Sequence, residues 1–101
     1  MRQALVKVHD TDAGILIQAN NRTYRFEYFS EYQGMPVSLT MPTTQKIYIF
    51  DAFPAFFDGV LPEGGQLEGL LYTRKIDRDD FLSQLITVGA DLVGAVTVFE
   101  I

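Results

Sequence analysis

The sequence predicts an α+β fold: a single domain, residues 1–101, in which a mostly antiparallel β-sheet is covered by two or three short helices. Three observations lead there. Short stretches that alternate apolar and polar residues crowd the first third of the chain. Apolar residues then recur at helical spacing between Phe53 and Ile86. A last alternating stretch, Ala95–Phe99, follows the helical ones, so strands, helices and strand succeed one another without a repeating strand–helix unit.

Taken in order, Ala4–Val8 places Ala4, Val6 and Val8 on one face and Leu5, Lys7 and His9 on the other. Asp10-Thr11-Asp12-Ala13-Gly14 supplies turn chemistry, and Ile15–Ile17 resumes a strand. Ala19-Asn20-Asn21-Arg22 is a second turn, because Asn tolerates left-handed backbone and bonds to its own chain. Tyr24-Arg25-Phe26-Glu27-Tyr28 alternates three rings with two charges, which predicts a strand buried on one face. Val37–Met41 reads as a short strand ended by Pro42, and Ile47–Phe50 as either a strand or an extended lead-in.

Asp51 is then a candidate helix cap, with Pro54 tolerated inside the first turn. Phe53, Phe56, Phe57, Val60 and Leu61 follow at helical spacing and are expected to pack against the sheet. Pro62-Glu63-Gly64-Gly65 breaks the chain, and Gln66–Tyr72 reads as a short helix with Leu67, Leu70 and Leu71 inward. Asp77, with Asp80 three residues on, is expected to start the next helix. Phe81, Leu82, Leu85 and Ile86 form its apolar stripe, and Gly89 is its candidate C-cap.

Composition narrows the function. The chain has 101 residues, 8 Lys+Arg against 13 Asp+Glu, a net charge of −5, and neither Cys nor Trp. That size excludes a protein kinase, a two-domain nucleotide-binding enzyme or a TIM barrel. The acidic balance argues against nucleic acid, which requires a basic footprint. Without Cys there is no disulfide, thiolate metal site or Cys nucleophile, as suits a reducing compartment. No signal-peptide core or membrane span is apparent, so a cytoplasmic location without membrane contact is expected.

Catalytic sets do not assemble. His9 is the lone His, set beside turn acids, and Ser30, Ser38 and Ser83 lack a nucleophile-elbow context. Asp79 and Asp80 would diverge on a helix, and capping accounts for Asp77 and Asp80. Gly59, Gly64, Gly65 and Gly69 are not followed by the Lys-Ser/Thr pair of a phosphate loop. Arg74, Lys75 and Arg78 interleave with Asp77, Asp79 and Asp80 as a solvated mixed-charge face. No catalytic residue, cofactor or metal is expected.

Three segments carry a resemblance. Pro36-Val37-Ser38-Leu39-Thr40-Met41-Pro42 resembles the "LSLSLP"-type segment near the start of HipA-type kinases. Phe56-Phe57-Asp58-Gly59-Val60-Leu61-Pro62-Glu63-Gly64 resembles the "FF-x-N-LLPEG" segment that follows it. The run from Asp80 to Val96 is similar to the segment closing that family's N-terminal subdomain. Asp58 and Ala90 depart from the pattern, standing where Asn and a charged residue are common.

In that family the subdomain precedes a much larger kinase core, which is missing here. Met1 and the ending at Ile101 favour a free-standing product. Free-standing forms are the HipS antitoxins of tripartite HipBST toxin–antitoxin systems. The resemblance therefore implies a non-enzymatic antitoxin that binds and neutralises a HipT-like Ser/Thr kinase toxin. It leaves room for a HipB-like helix-turn-helix protein in a ternary complex. The alternative it implies is an N-terminal structural subdomain of a full-length HipA-like kinase, with a role in assembly.

For the partner contact, the loop Leu61-Pro62-Glu63-Gly64-Gly65-Gln66 is the candidate. Pro62 restricts it, the two glycines permit close approach, and Glu63 can meet a basic group. An ordinary helix connector is the plainer reading of the same residues. A bulky plug for a kinase cleft cannot come from Gly65 and would fall to Leu67 or Phe57.

Overall fold

The alternating segments at the start of the chain pair as strands. In the computed structural model, which describes residues 2–20, 22–92 and 94–101, β1 (Arg2–Val8) and β2 (Thr11–Gln18) form a hairpin. Asn21 of the expected second turn and Val93 of the third family-like segment lie outside the described residues. The hairpin turn is tighter than Asp10–Gly14. His9 and Asp10 take φ of 51° and 64°, the two-residue geometry whose twist matches the strands.

A register shift between Val6 and Lys7 accommodates the mismatch, and Ala13 and Gly14 join β2 rather than the turn. A Cβ on Gly14 would stand 2.3 Å from the Glu27 carbonyl oxygen and 2.8 Å from the Phe26 ring. Close approach, not turn geometry, requires glycine there.

β3 (Tyr24–Tyr28) pairs with β2, and β4 (Ile47–Phe50) with β3. β5 (Val96–Glu100) returns to the opposite side of β1, giving the antiparallel order β4-β3-β2-β1-β5. Ala4, Val6, Leu16, Phe26, Tyr28, Val96 and Val98 lie on the face turned to the core. Register places Phe99, Leu5, Ile15, Glu27 and Ile47 in one row across the opposite face, which carries no helix.

Three helices cover the core face. α1 (Ala55–Asp58) is a single turn. Pro54, not Asp51, stands before it, because Pro54 holds an extended conformation and the chain stays bent through Phe53. The expected aromatic stripe does pack inward. Phe57 and Leu61 are buried, and Phe53, Phe56 and Val60 lie against them. Phe53 bridges Tyr24 edge-on at 5.2 Å and Phe81 face-on at 5.4 Å, so rings join the sheet, α1 and α3 (Phe81–Val88).

α2 (Gly64–Arg74) exceeds the expected Gln66–Tyr72 at both ends and stops where Lys75 turns left-handed, φ 55°. α3 starts four residues later than expected. Asp80 is its cap, accepting from the Ser83 amide at 3.2 Å and the Ser83 hydroxyl at 2.7 Å. The buried Gln84 side chain donates to the Asp77 and Arg78 carbonyls, which holds 77–80 as a turn. Gly89 ends α3 in right-handed geometry, φ −58°, and leads into a 3₁₀ turn, Gly89–Asp91.

Between β3 and β4 the expected strand Val37–Met41 is absent: a lone bridge joins Ser38 and Met41. Tyrosine hydroxyls hold this segment instead. Tyr28 donates to the Met41 carbonyl and accepts from the Val37 amide at 2.9 Å. Tyr32 donates to the Met35 carbonyl, and Tyr48 to that of Pro42 at 2.7 Å. Burial pushes the phenols of Tyr24, Tyr28 and Tyr32 above their ordinary range, because a phenolate would lose its hydration there.

Candidate functional site

The residues with catalytic potential are dispersed. His9 is exposed in the β1–β2 turn. Asp80 is engaged by Ser83 and by an ion pair with Arg2 at 3.1 Å, while Asp77 contributes a carbonyl to the turn below it. Ser83 serves the helix cap, and Ser38 bonds the Thr40 hydroxyl at 2.9 Å. Among the described residues no group of three His, Asp or Glu side chains is placed to hold a metal ion.

Arg74, Lys75 and Arg78 are exposed, and Arg78 pairs with Glu68 of α2. Arg78 also lines an open groove of about 890 Å³ with Arg2, Arg22, Asp77, Asp79 and Asp80. Three arginines and three aspartates line it, so it concentrates neither sign of charge. The solvated mixed-charge face expected for this cluster is what the geometry displays.

The expected loop Leu61–Gln66 is shorter in the structure: the connector from α1 ends at Glu63, the residue before α2, and Gly64, Gly65 and Gln66 form the first turn of that helix. Leu61 points into the core and Pro62 is half-buried, which anchors the loop at its first residues. Glu63, Gly64, Gly65 and Gln66 are exposed. Glu63 is extended, and Gly64 has φ +57°, a conformation that favours glycine. A Cβ on Gly65 would meet nothing within 4 Å, so the backbone there is open to approach.

Of the two residues expected as a plug for a cleft, Phe57 is wholly buried among Phe26, Phe53 and Phe56 and presents no surface to a partner. Leu67 is half-buried at the first turn of α2.

The structure adds apolar groups that hydropathy patterning did not single out. Tyr72 on the outer side of α2 is 88% exposed, Leu39 in the tyrosine-tethered segment 94%, and Ile49 on β4 71%. Tyr72 adjoins Leu71, the one buried residue of α2, so α2 offers partners most of its surface. Scattered singly, such side chains are ordinary on a protein surface and do not by themselves mark an interface. A signal for Tyr72 was present: it falls outside the Leu67-Leu70-Leu71 stripe.

No helix among the described residues is long and apolar enough to cross a membrane.

Comparison with known proteins fits this geometry. The solved N-terminal domain of HipA toxin matches over 100% of this chain and 93% of that one, at TM-score 0.80 and 26% identity. A protein of Haemophilus influenzae strain Rd, described as uncharacterized, is 31% identical over 85 residues, 84% of this chain and 80% of that protein. The family model for the HipA N-terminal domain matches residues 4–99, a span that holds all three segments whose resemblance was read from sequence. The chain belongs to the HipA N-terminal domain family.

Proposed function

We propose that this chain is a HipS-like antitoxin that binds a HipT-like Ser/Thr kinase and neutralises it without chemistry of its own. The observation that carries this reading is the extent of the Haemophilus influenzae relative. The match takes in 80% of that protein, so there the domain makes up most of the polypeptide, with no length left for a kinase core in the same chain. Inhibition by occupancy asks only for anchors and a polar rim, so this role requires no catalytic set. Glu63–Gln66 is the proposed contact, with Glu63 meeting a basic group and the open backbone at Gly65 permitting close approach. A HipB-like helix-turn-helix protein joins the same assembly, in the cytoplasm.

Co-expression tests this. The chain is expected to co-purify with a HipT-like kinase and to restore growth of cells carrying it. Charge reversal in a contact costs several kcal/mol. Glu63→Arg should therefore cut binding by at least about tenfold, and Gly65→Arg should do the same by filling the open approach to the backbone, while thermal stability stays near wild type in both. A chain that neither binds nor rescues excludes the antitoxin role, and rescue that survives both substitutions places the contact elsewhere. The solved N-terminal domain of HipA toxin favours a second reading, in which the chain helps assemble a larger kinase. Binding without loss of kinase toxicity would select that one.

A further inference from the structure

Hydrogen-bond parity shows which backbone groups of β4 face outward. The Tyr28 amide donates to the Lys46 carbonyl at 2.8 Å, so Tyr28–Lys46 is a bonded pair of the β3–β4 ladder. Alternation makes Phe26–Tyr48 and Tyr24–Phe50 bonded pairs as well. The N–H and C=O groups of Ile47 and Ile49 therefore point away from the sheet. One of them is occupied: the Gln45 side-chain amide donates to the Ile47 carbonyl at 2.7 Å, a bond that itself marks this edge as open. The Ile47 amide and both groups of Ile49 have no protein partner among the described residues. The Ile47 and Ile49 side chains are exposed on the helix-free face, and Ile49 borders a shallow apolar hollow of about 180 Å³ with Ile17, Ala19, Thr23 and Arg25.

We propose that β4 is a self-association edge, occupied by β4 of a second copy of this chain in antiparallel pairing centred on Tyr48. That register sets Ile47 of each copy opposite Ile49 of the other, where the outward N–H and C=O groups of each pair exchange bonds. The same pairs bring four exposed isoleucine side chains together on one face. Lys46 of each copy comes within one residue of Asp51 of the other, so opposite charges flank both ends of the joint.

The arrangement also closes. The far edge of the sheet, β5, is blocked by Gly89, where a Cβ would stand 1.9 Å from the Val98 carbonyl oxygen. Pairing through β4 uses one surface on both copies and stops at a two-fold dimer with a ten-stranded sheet, not an open fibre. A joint this short belongs at the weak end of specific interfaces, with a dissociation constant on the order of 10–100 μM.

Sedimentation velocity of the purified chain from about 1 to 200 μM, spanning that constant, is the test. A monomer at the lowest concentration and a dimer at the highest are expected, with amide exchange at Ile47 and Ile49 slowing as concentration rises. Ile49→Pro removes an outward amide and leaves the ladder to β3 intact, so it should stay folded and monomeric throughout. Ile49→Lys is the second variant, expected to be monomeric should the proline disturb folding. A wild-type chain monomeric at every concentration overturns the proposal, as does a dimer that both variants leave unchanged.

Discussion

The two edges of the sheet present the same problem and resolve it oppositely. At β5, Val98 turns its carbonyl outward, because the His9 amide bonds the Ala95 carbonyl at 2.9 Å and alternation sets Lys7–Thr97 and Leu5–Phe99 as the inward pairs. The 3₁₀ turn at Gly89 then lies directly against that carbonyl. At β4, among the described residues, no element covers Ile47 and Ile49; a glutamine side chain reaches one carbonyl and the rest faces solvent. An unpaired edge invites pairing with another chain, and covering it is one way proteins prevent that. The difference teaches that glycine at position 89 acts through what it omits, a Cβ, and that exposure at β4 is selective rather than general.

The largest expected effect tests the blocked edge. Gly89→Ala forces a Cβ into the Val98 carbonyl, so either the 3₁₀ turn or β5 must move. Overpacking of this kind costs typically 1–3 kcal/mol, and about 3 is expected here because the obstacle is backbone. Urea denaturation measures it; a loss below about 0.5 kcal/mol would show that the turn withdraws freely.

A smaller effect probes what supports the open edge. Tyr28→Phe deletes the hydroxyl shared by Val37 and Met41, leaving a buried amide and a carbonyl without that partner. A loss of about 2 kcal/mol is expected, with exchange accelerated across 35–46 and unchanged at Val96–Phe99. Equal acceleration at both edges would dissolve the distinction.

The same tyrosines predict the pH response. Burial raises the folded-state values of Tyr24, Tyr28 and Tyr32 above the unfolded value of about 10. The folded chain thus holds its phenolic protons longer, and that contribution is complete below pH ~10 and lost as pH climbs through the folded values. Urea midpoints should fall from pH 9 to 11 in wild type and fall less in Tyr28→Phe. The smallest effect is at the open edge itself. Ile49→Lys, measured in dilute solution, should change stability by no more than about 0.5 kcal/mol, since its side chain already faces solvent.

Much of the sheet was legible because period-two patterning records burial on one face. Ala4, Val6, Val8 and the Tyr24-Phe26-Tyr28 triplet are buried as their spacing requires. Val37–Met41 misled for the same reason: it alternates, yet its end residues bond the Tyr28 hydroxyl of β3 and its Met41 amide turns back to the Ser38 carbonyl, which no local pattern records. The start of α3 could not be decided from Asp77 and Asp80 alone, since either can cap. Gln84, reaching back to two carbonyls, decides it. The break at Pro62–Glu63 was legible, but Gly64–Gln66 joined α2 because glycine can enter a helix's first turn, and what this exposed stretch contacts depends on a molecule whose chemistry this chain does not encode. The β4 edge was invisible because parity of hydrogen bonding belongs to pairing, not to residue type.

β1 sits between β2 and β5, so the first strand of the chain finds one neighbour almost at once and the other only after some ninety residues. Closing a loop that long slows folding, because its entropy must be spent before the contacts form. As synthesis proceeds from the amino terminus, β1 to β4 can assemble as a four-stranded sheet while the β5-facing side of β1 stays bare. Until Val96–Glu100 reach that side, β1 therefore offers a second adhesive margin that the folded domain lacks, and misassembly there competes with the slow closure of β5.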